Sequence, residues 1–217
     1  MKKIFLSFTL LLFGITAFSQ APVKPVKIDN LVTVSLPQVF QKKDTLGQHI
    51  FLANSTYGYI TVIVEPNGKN NTPLNKERDL NNVLKDYIKS IQKQSSGSVA
   101  ENVRDTTIGT LKAKVFTLKT DDGANGSQLI NFTLIYTRDA TYTFEYVYPA
   151  MRSDLVKGEY KAFISSIRLS SELQRNDQYL SKNNGMSTIT KIEIGGGALV
   201  IILIVFFVIR RKKLAVS

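Results

Sequence analysis

From Ile194 to Ile209 the chain runs for 16 positions (IGGGALVIILIVFFVI) with no charged or strongly polar side chain, and Arg210-Arg211-Lys212-Lys213 follows at once. A water-soluble core would have to bury this run beside four cations, whereas a bilayer takes the run and stops at the cluster. At 1.5 Å per residue the run covers about 24 Å of helix, and residues 192–209 together cover about 27 Å. That is slightly short of a 30 Å hydrocarbon core, a gap of a size that snorkelling side chains and local bilayer thinning accommodate. Residues 192–209 are therefore expected to form one transmembrane helix, with the lipid bilayer as its partner. By the positive-inside rule residues 210–217 form a short basic cytoplasmic tail.

The opposite end gives the same topology. Lys2 and Lys3, the apolar stretch Ile4–Phe13 and the small residues Ala17 and Ser19 read as a secretory signal over residues 1–19. The part between is then exported, and the expected location is the bacterial inner membrane, single-pass, with the N-terminal domain periplasmic. Gly195–Gly197 before the apolar core needs only a loosened first helical turn. Gly run, apolar span and basic cluster in that order also resemble the GlyGly-type C-terminal sorting signals cut by rhomboid-family proteases.

Charge has to be read within this frame. The full chain of 217 residues carries a formal net charge of +11, but the two ends hold much of it. Residues 20–191 keep 22 basic against 16 acidic side chains. A mildly basic exported domain without a recognised binding motif gives no reason to expect nucleic acid as a partner. The absence of Cys excludes disulfides, thiolate metal sites and a lipidated N-terminal Cys, and the single His excludes a multi-histidine metal site.

The domain is expected over residues 28–170. Leu31–Leu36 alternates up to Pro37 and reads as a strand, and His49–Ala53 with Tyr57–Val64 reads as a hairpin. Leu80, Val83, Leu84, Tyr87, Ile88 and Ile91 recur on one helical face, with Asn75 as the expected N-cap. Val103–Ile108 with Leu111–Leu118, and Gln128–Tyr136 with Thr141–Tyr148, form two further hairpins. Ser153 and Asp154 then open a helix with apolar members Leu155, Tyr160, Phe163, Ile164 and Ile167. Together these imply an α+β fold, an antiparallel sheet of about six or seven strands packed with two helices. Residues 171–191, rich in Ser, Asn and Gln, are expected to be a polar juxtamembrane tether.

The order strand-Pro, hairpin, long helix, hairpins and closing helix resembles the PsbP-like fold, that of the extrinsic photosystem II subunit. Val34-Ser35-Leu36-Pro37, Tyr148-Pro149 and Phe163-Ile164-Ser165-Ser166-Ile167 carry the resemblance. Relatives often carry a Trp after the first strand-Pro, where this chain has Phe40. The resemblance implies a scaffold or docking module rather than a reaction.

No catalytic constellation assembles, so a non-enzyme is expected, with no cofactor. His49 lies in a strand pattern, and a lone strand His reads as structural or solvent-facing. Asp121–Gly126 fails the calcium-loop pattern, with Gly123 at the third ligand position, and reads as a hairpin turn. Two rows remain as interaction candidates. Lys85, Lys89 and Lys93 follow each other at i+4 on the long helix, suited to an acidic partner or anionic lipid, or simply to a solvated face. Tyr142, Phe144, Tyr146 and Tyr148 share one face of the last long strand, either as core or as the lining of a groove. Thr143, Glu145 and Val147 on its other face are less uniformly apolar and suggest partial exposure. The expectation is an envelope docking or assembly module with a protein partner. The alternative is a lipid- or glycan-binding protein with a pocket beside the aromatic strand.

Overall fold

The computed structural model describes residues 22–68, 73–95, 98–121 and 126–180. The signal segment 1–19, most of the Asp121–Gly126 loop, residues 181–191, the span 192–209 and the tail 210–217 lie outside the described residues. Among the described residues no helix is long and apolar enough to cross a membrane.

Among the described residues ten strands form two antiparallel sheets. The small sheet holds β1 (Val23–Lys27), β2 (Val32–Pro37) and β10 (Arg168–Leu169), in the order β1-β2-β10. The large sheet holds β3 (Phe40–Thr45), β4 (Gln48–Asn54), β5 (Tyr59–Pro66), β6 (Ala100–Ile108), β7 (Leu111–Asp121), β8 (Ser127–Tyr136) and β9 (Ala140–Pro149). Its order is β3-β4-β5-β9-β8-β7-β6. After β5 the chain leaves through α1 (Glu77–Gln94), re-enters at the far edge as β6, and meanders back until β9 pairs with β5.

Two layers cover this sheet. Val34, Leu36, Val62, Phe144, Tyr146 and Phe163 belong to the core formed with the small sheet and α2 (Ser153–Ser165). Ile63, Leu80, Leu84, Ile91, Phe132 and Leu134 belong to the core beneath α1. The period-two alternation of the strands divides these two sets. β9 lies between β5 and β8 and between both layers, so every residue from Ala140 to Tyr148 is buried.

The expected α+β class, the seven-stranded antiparallel sheet and the two helices are present, and several boundaries move. β1 precedes residue 28, and β1, β3 and β10 lack the alternation that marks a strand in sequence. α1 is capped by Lys76, not Asn75: Asp79 accepts the Lys76 N–H (3.1 Å), as a lysine side chain has no acceptor to offer. In α2 the inward residue of the first turn is Val156, and Leu155 is 57% exposed. Val156, Tyr160, Phe163 and Ile167 follow the helical repeat, and Leu155 falls outside their arc.

The largest shift concerns the tether expected from residue 171. Residues 171–180 pack on the domain, with Leu173, Gln178 and Tyr179 buried. Gln178 Nε2 donates to the carbonyls of Lys112 and Tyr136 (2.8 Å each), and its Oε1 accepts the Lys112 N–H (2.8 Å). The amide thus supplies partners to backbone groups at the splaying ends of β7 and β8, a role that polar composition alone does not reveal.

Candidate functional site

The aromatic row of β9 is core. Tyr142, Phe144, Tyr146 and Tyr148 point at the small sheet and α2 and are almost wholly buried. Each tyrosine hydroxyl is engaged inside the fold. Tyr142 donates to Asp29 Oδ2 (2.7 Å), and Asn131 Nδ2 donates to the Tyr148 oxygen (3.3 Å). Tyr146 donates to Glu159 Oε2 on α2 (2.6 Å) and meets Ser55 Oγ (2.7 Å). Burial, and then the facing carboxylate in each case, pushes the Tyr142 and Tyr146 phenols well above the usual tyrosine range. As contact residues for a partner, Tyr142, Tyr146 and Tyr148 are therefore inaccessible, because the small sheet and α2 together cover the face they occupy.

The same network fastens the β4–β5 turn to α2. Glu159 accepts the backbone N–H groups of Thr56 (2.9 Å) and Tyr57 (3.3 Å), and Gly58 N–H donates to Ser55 Oγ (3.1 Å). Gly58 is required by space, since a Cβ there would lie 2.2 Å from the Val147 carbonyl oxygen. Tyr146 also packs edge-on against Tyr148 and Tyr160, with ring centroids 6.0 Å apart in each pair. Rings so arranged fill the space that a groove would need.

Lys85, Lys89 and Lys93 stand in the open. All three are exposed on the outer face of α1, opposite Leu84, Ile88 and Ile91. Arg78, one heptad before Lys85, extends the row and was not singled out in sequence. Lys89 lies 3.4 Å from Asp86, both well exposed, a pair too solvated to quench the row. At 1.5 Å per residue the helix presents the row from Arg78 to Lys93 along about 22 Å.

Glu145 escaped sequence reading. Thr143, Glu145 and Val147, expected to be partly exposed, are all buried, because α1 roofs their face of β9. Among the described residues neither Glu145 oxygen has a hydrogen-bond partner, and burial pushes the carboxyl up from 4.5 to about 8. The signal that could have found it is positional. Two amphipathic helices plus a separate strand pair supply cover for both faces of a sheet, and a central strand then has no exposed side.

Elsewhere, His49 Nδ1 lies 2.6 Å from Asp44 across the β3–β4 hairpin on an exposed edge, and this hydrogen bond holds the Asp44 carboxyl below its usual range. A small concavity between Leu74, Tyr136, Arg138 and Gln178 has a volume of about 10 Å³, room for one water molecule. Among the described residues no group of three or more His, Cys, Asp or Glu side chains could hold a metal ion.

These layers define a PsbP-like α+β fold. The solution structure of cyanobacterial PsbP from Synechocystis sp. PCC 6803 matches with a TM-score of 0.50 and 17% identity, over 71% of this chain and 96% of that one. A Pseudomonas aeruginosa protein of unknown function, PA94, described as a putative regulator, matches with a TM-score of 0.43 and 11% identity, over 66% and 94% of the two chains. A Bacteroides thetaiotaomicron structure matches with a TM-score of 0.38 and 13% identity, over 65% and 46%. At 17% identity the likeness to the cyanobacterial protein is one of fold. No family model and no curated protein matches the sequence.

Proposed function

We propose that this chain is a non-catalytic docking module of the bacterial envelope, held at the inner membrane by residues 192–209, its domain exported and its basic tail cytoplasmic. The observation that carries the reading is the outer face of α1. Of the two rows nominated by the sequence, the tyrosines are sequestered, and Lys85, Lys89 and Lys93 remain accessible. A rigid row of cations on a helix suits an acidic protein surface, which it steers and orients more than it binds tightly. The ligand-pocket alternative loses its proposed place, since the aromatic strand is packed on both faces.

The test is site-specific crosslinking of the full chain in native membranes. A photoreactive residue at Lys89 should give a discrete protein adduct, and one at Lys161, on the exposed face of α2, should not. Adducts to lipid alone, or equal labelling from both positions, overturn the reading. Separately, protease protection in sealed spheroplasts tests the anchor: a domain shielded from external protease would place it on the wrong side.

A further inference from the structure

Glu145 lies in the middle of β9, opposite Thr61 on β5 and Phe132 on β8, with Thr143 and Val147 beside it on the same face. It is completely buried, with both oxygens unpartnered. Among the described residues the groups around it offer no counter-charge. From α1 the inward titratable side chain is Tyr87, whose hydroxyl is 3.2 Å from Thr143 Oγ1. On β5 the ionisable residues of that face are Tyr59, which pairs with Val147, and Glu65, an acid, and on β8 it is Tyr136. Lys114 on β7 lies two strands away and is engaged by Asp105 of β6. Lys85, Asp86 and Lys89 of α1 point to solvent.

A carboxylate formed here can be solvated only if one of its covers gives way. β9 is hydrogen-bonded into ladders with β5 and β8, and its other face is closed by the small sheet and α2. α1 rests on the sheet mainly through the apolar side chains Leu80, Leu84, Ile88 and Ile91, with the Tyr87–Thr143 bond in their midst and the Glu77–Lys112 ion pair at its N-terminal end. The helix is the cover with the fewest directional bonds to lose.

We propose that Glu145 is a proton-operated catch for α1: neutral, it lets the helix seat on the sheet, and ionised, it releases the helix and with it the row Lys85, Lys89 and Lys93. One proton passes from the carboxyl to solvent per opening. While the closed form is neutral and the open form ionised, the opening constant therefore rises about tenfold per pH unit. The consequence for docking rests on reading that row as the contact surface; the catch itself does not.

Hydrogen exchange of the full chain in detergent micelles, corrected for the intrinsic pH dependence of exchange, tests it between pH 5.5 and 8. Amides of Val83–Ile91 should open about tenfold more per pH unit, while those of β5, β8 and β9 stay protected. Glu145→Gln and Glu145→Met should remove the dependence. Flat protection of α1, helix and sheet opening together, or a slope that survives in both variants would overturn the catch. Should the variants not fold, the wild-type slope and the contrast between helix and sheet still decide. A missing Lys89 adduct with an intact slope strikes the docking reading alone, and the reverse strikes the catch alone.

Discussion

On the face of β9 that meets α2 and the small sheet, Tyr142, Tyr146 and Tyr148 each find a polar partner. On the face beneath α1, Glu145 finds none. The difference lies in what covers each face. The first layer is assembled from several segments, of which the turn at Asp29 and Glu159 of α2 each bring a polar group to the right place, while the sheet's own Ser55 and Asn131 serve Tyr146 and Tyr148. The second is mainly one helix whose inward stripe is Leu80, Val83, Leu84, Tyr87, Ile88 and Ile91. Such a stripe buries apolar area well and has almost nothing to offer a carboxyl.

Replacing Glu145 by Met should sharpen this contrast most. The folded state holds the carboxyl proton to about pH 8, whereas the unfolded chain releases it near 4.5. The unfolded state thus binds fewer protons between these values, and stability falls as pH rises through that window, by about 1.4 kcal/mol per unit. Below pH 4.5 both states are protonated, and above pH 8 both are ionised, so the loss is then constant. Glu145→Met should therefore stabilise the protein by on the order of 3 kcal/mol at pH 7, with the gain shrinking by pH 5. Urea unfolding at pH 5, 7 and 8 measures it. A variant less stable than the parent at pH 7 would mean that the carboxyl is satisfied after all.

Gly58→Ala attacks the opposite layer. The new Cβ, 2.2 Å from the Val147 carbonyl oxygen, must push the β4–β5 turn away from β9 and loosen Ser55 and Glu159 along with it. A loss of about 2–3 kcal/mol is expected from a clash of this kind, read as a lower urea midpoint with an unchanged pH profile. Tyr146→Phe is milder. It removes one hydroxyl and leaves Glu159 bound to two backbone N–H groups, so about 1–2 kcal/mol should be lost. If Tyr146→Phe proved neutral, the hydroxyl network would be incidental, and the two faces of β9 would differ less than their geometry suggests.

How much of this was legible in the sequence follows from the range of each interaction. The period of 3.6 in Leu80–Ile91 and the alternation in Leu31–Leu36 are local, and both elements stand where that pattern puts them. Phe40–Thr45 is a strand only because β4 pairs with it, since five of its six side chains are exposed and carry no alternation. Arg168–Leu169 is likewise a strand by virtue of β2 alone. Residues 171–180 read as a linker because their anchoring is long-range: the Gln178 amide bridges Lys112 and Tyr136, far away in sequence. Tyr142, Tyr146 and Tyr148 were visible as one face, but which of core or groove they formed depended on a second sheet that sequence reading had only half identified. Glu145 was hidden for the same reason, since its burial is a property of α1 lying over β9 rather than of its neighbours in the chain.

The smallest expected effect concerns the outside of the helix that roofs Glu145. Lys85→Ser, Lys89→Ser and Lys93→Ser should each change stability by less than about 0.5 kcal/mol, because these cations are solvated and Lys89–Asp86 is an exposed pair. The triple variant should keep the parent's pH-dependent exchange of α1 while losing the protein adduct formed at the row's neighbouring positions. Such a separation would assign the inner face of α1 to the catch and the outer face to contact. If instead the triple variant altered the pH slope, the lysines would be acting on Glu145 through the helix, and the two faces of α1 could not be treated as independent.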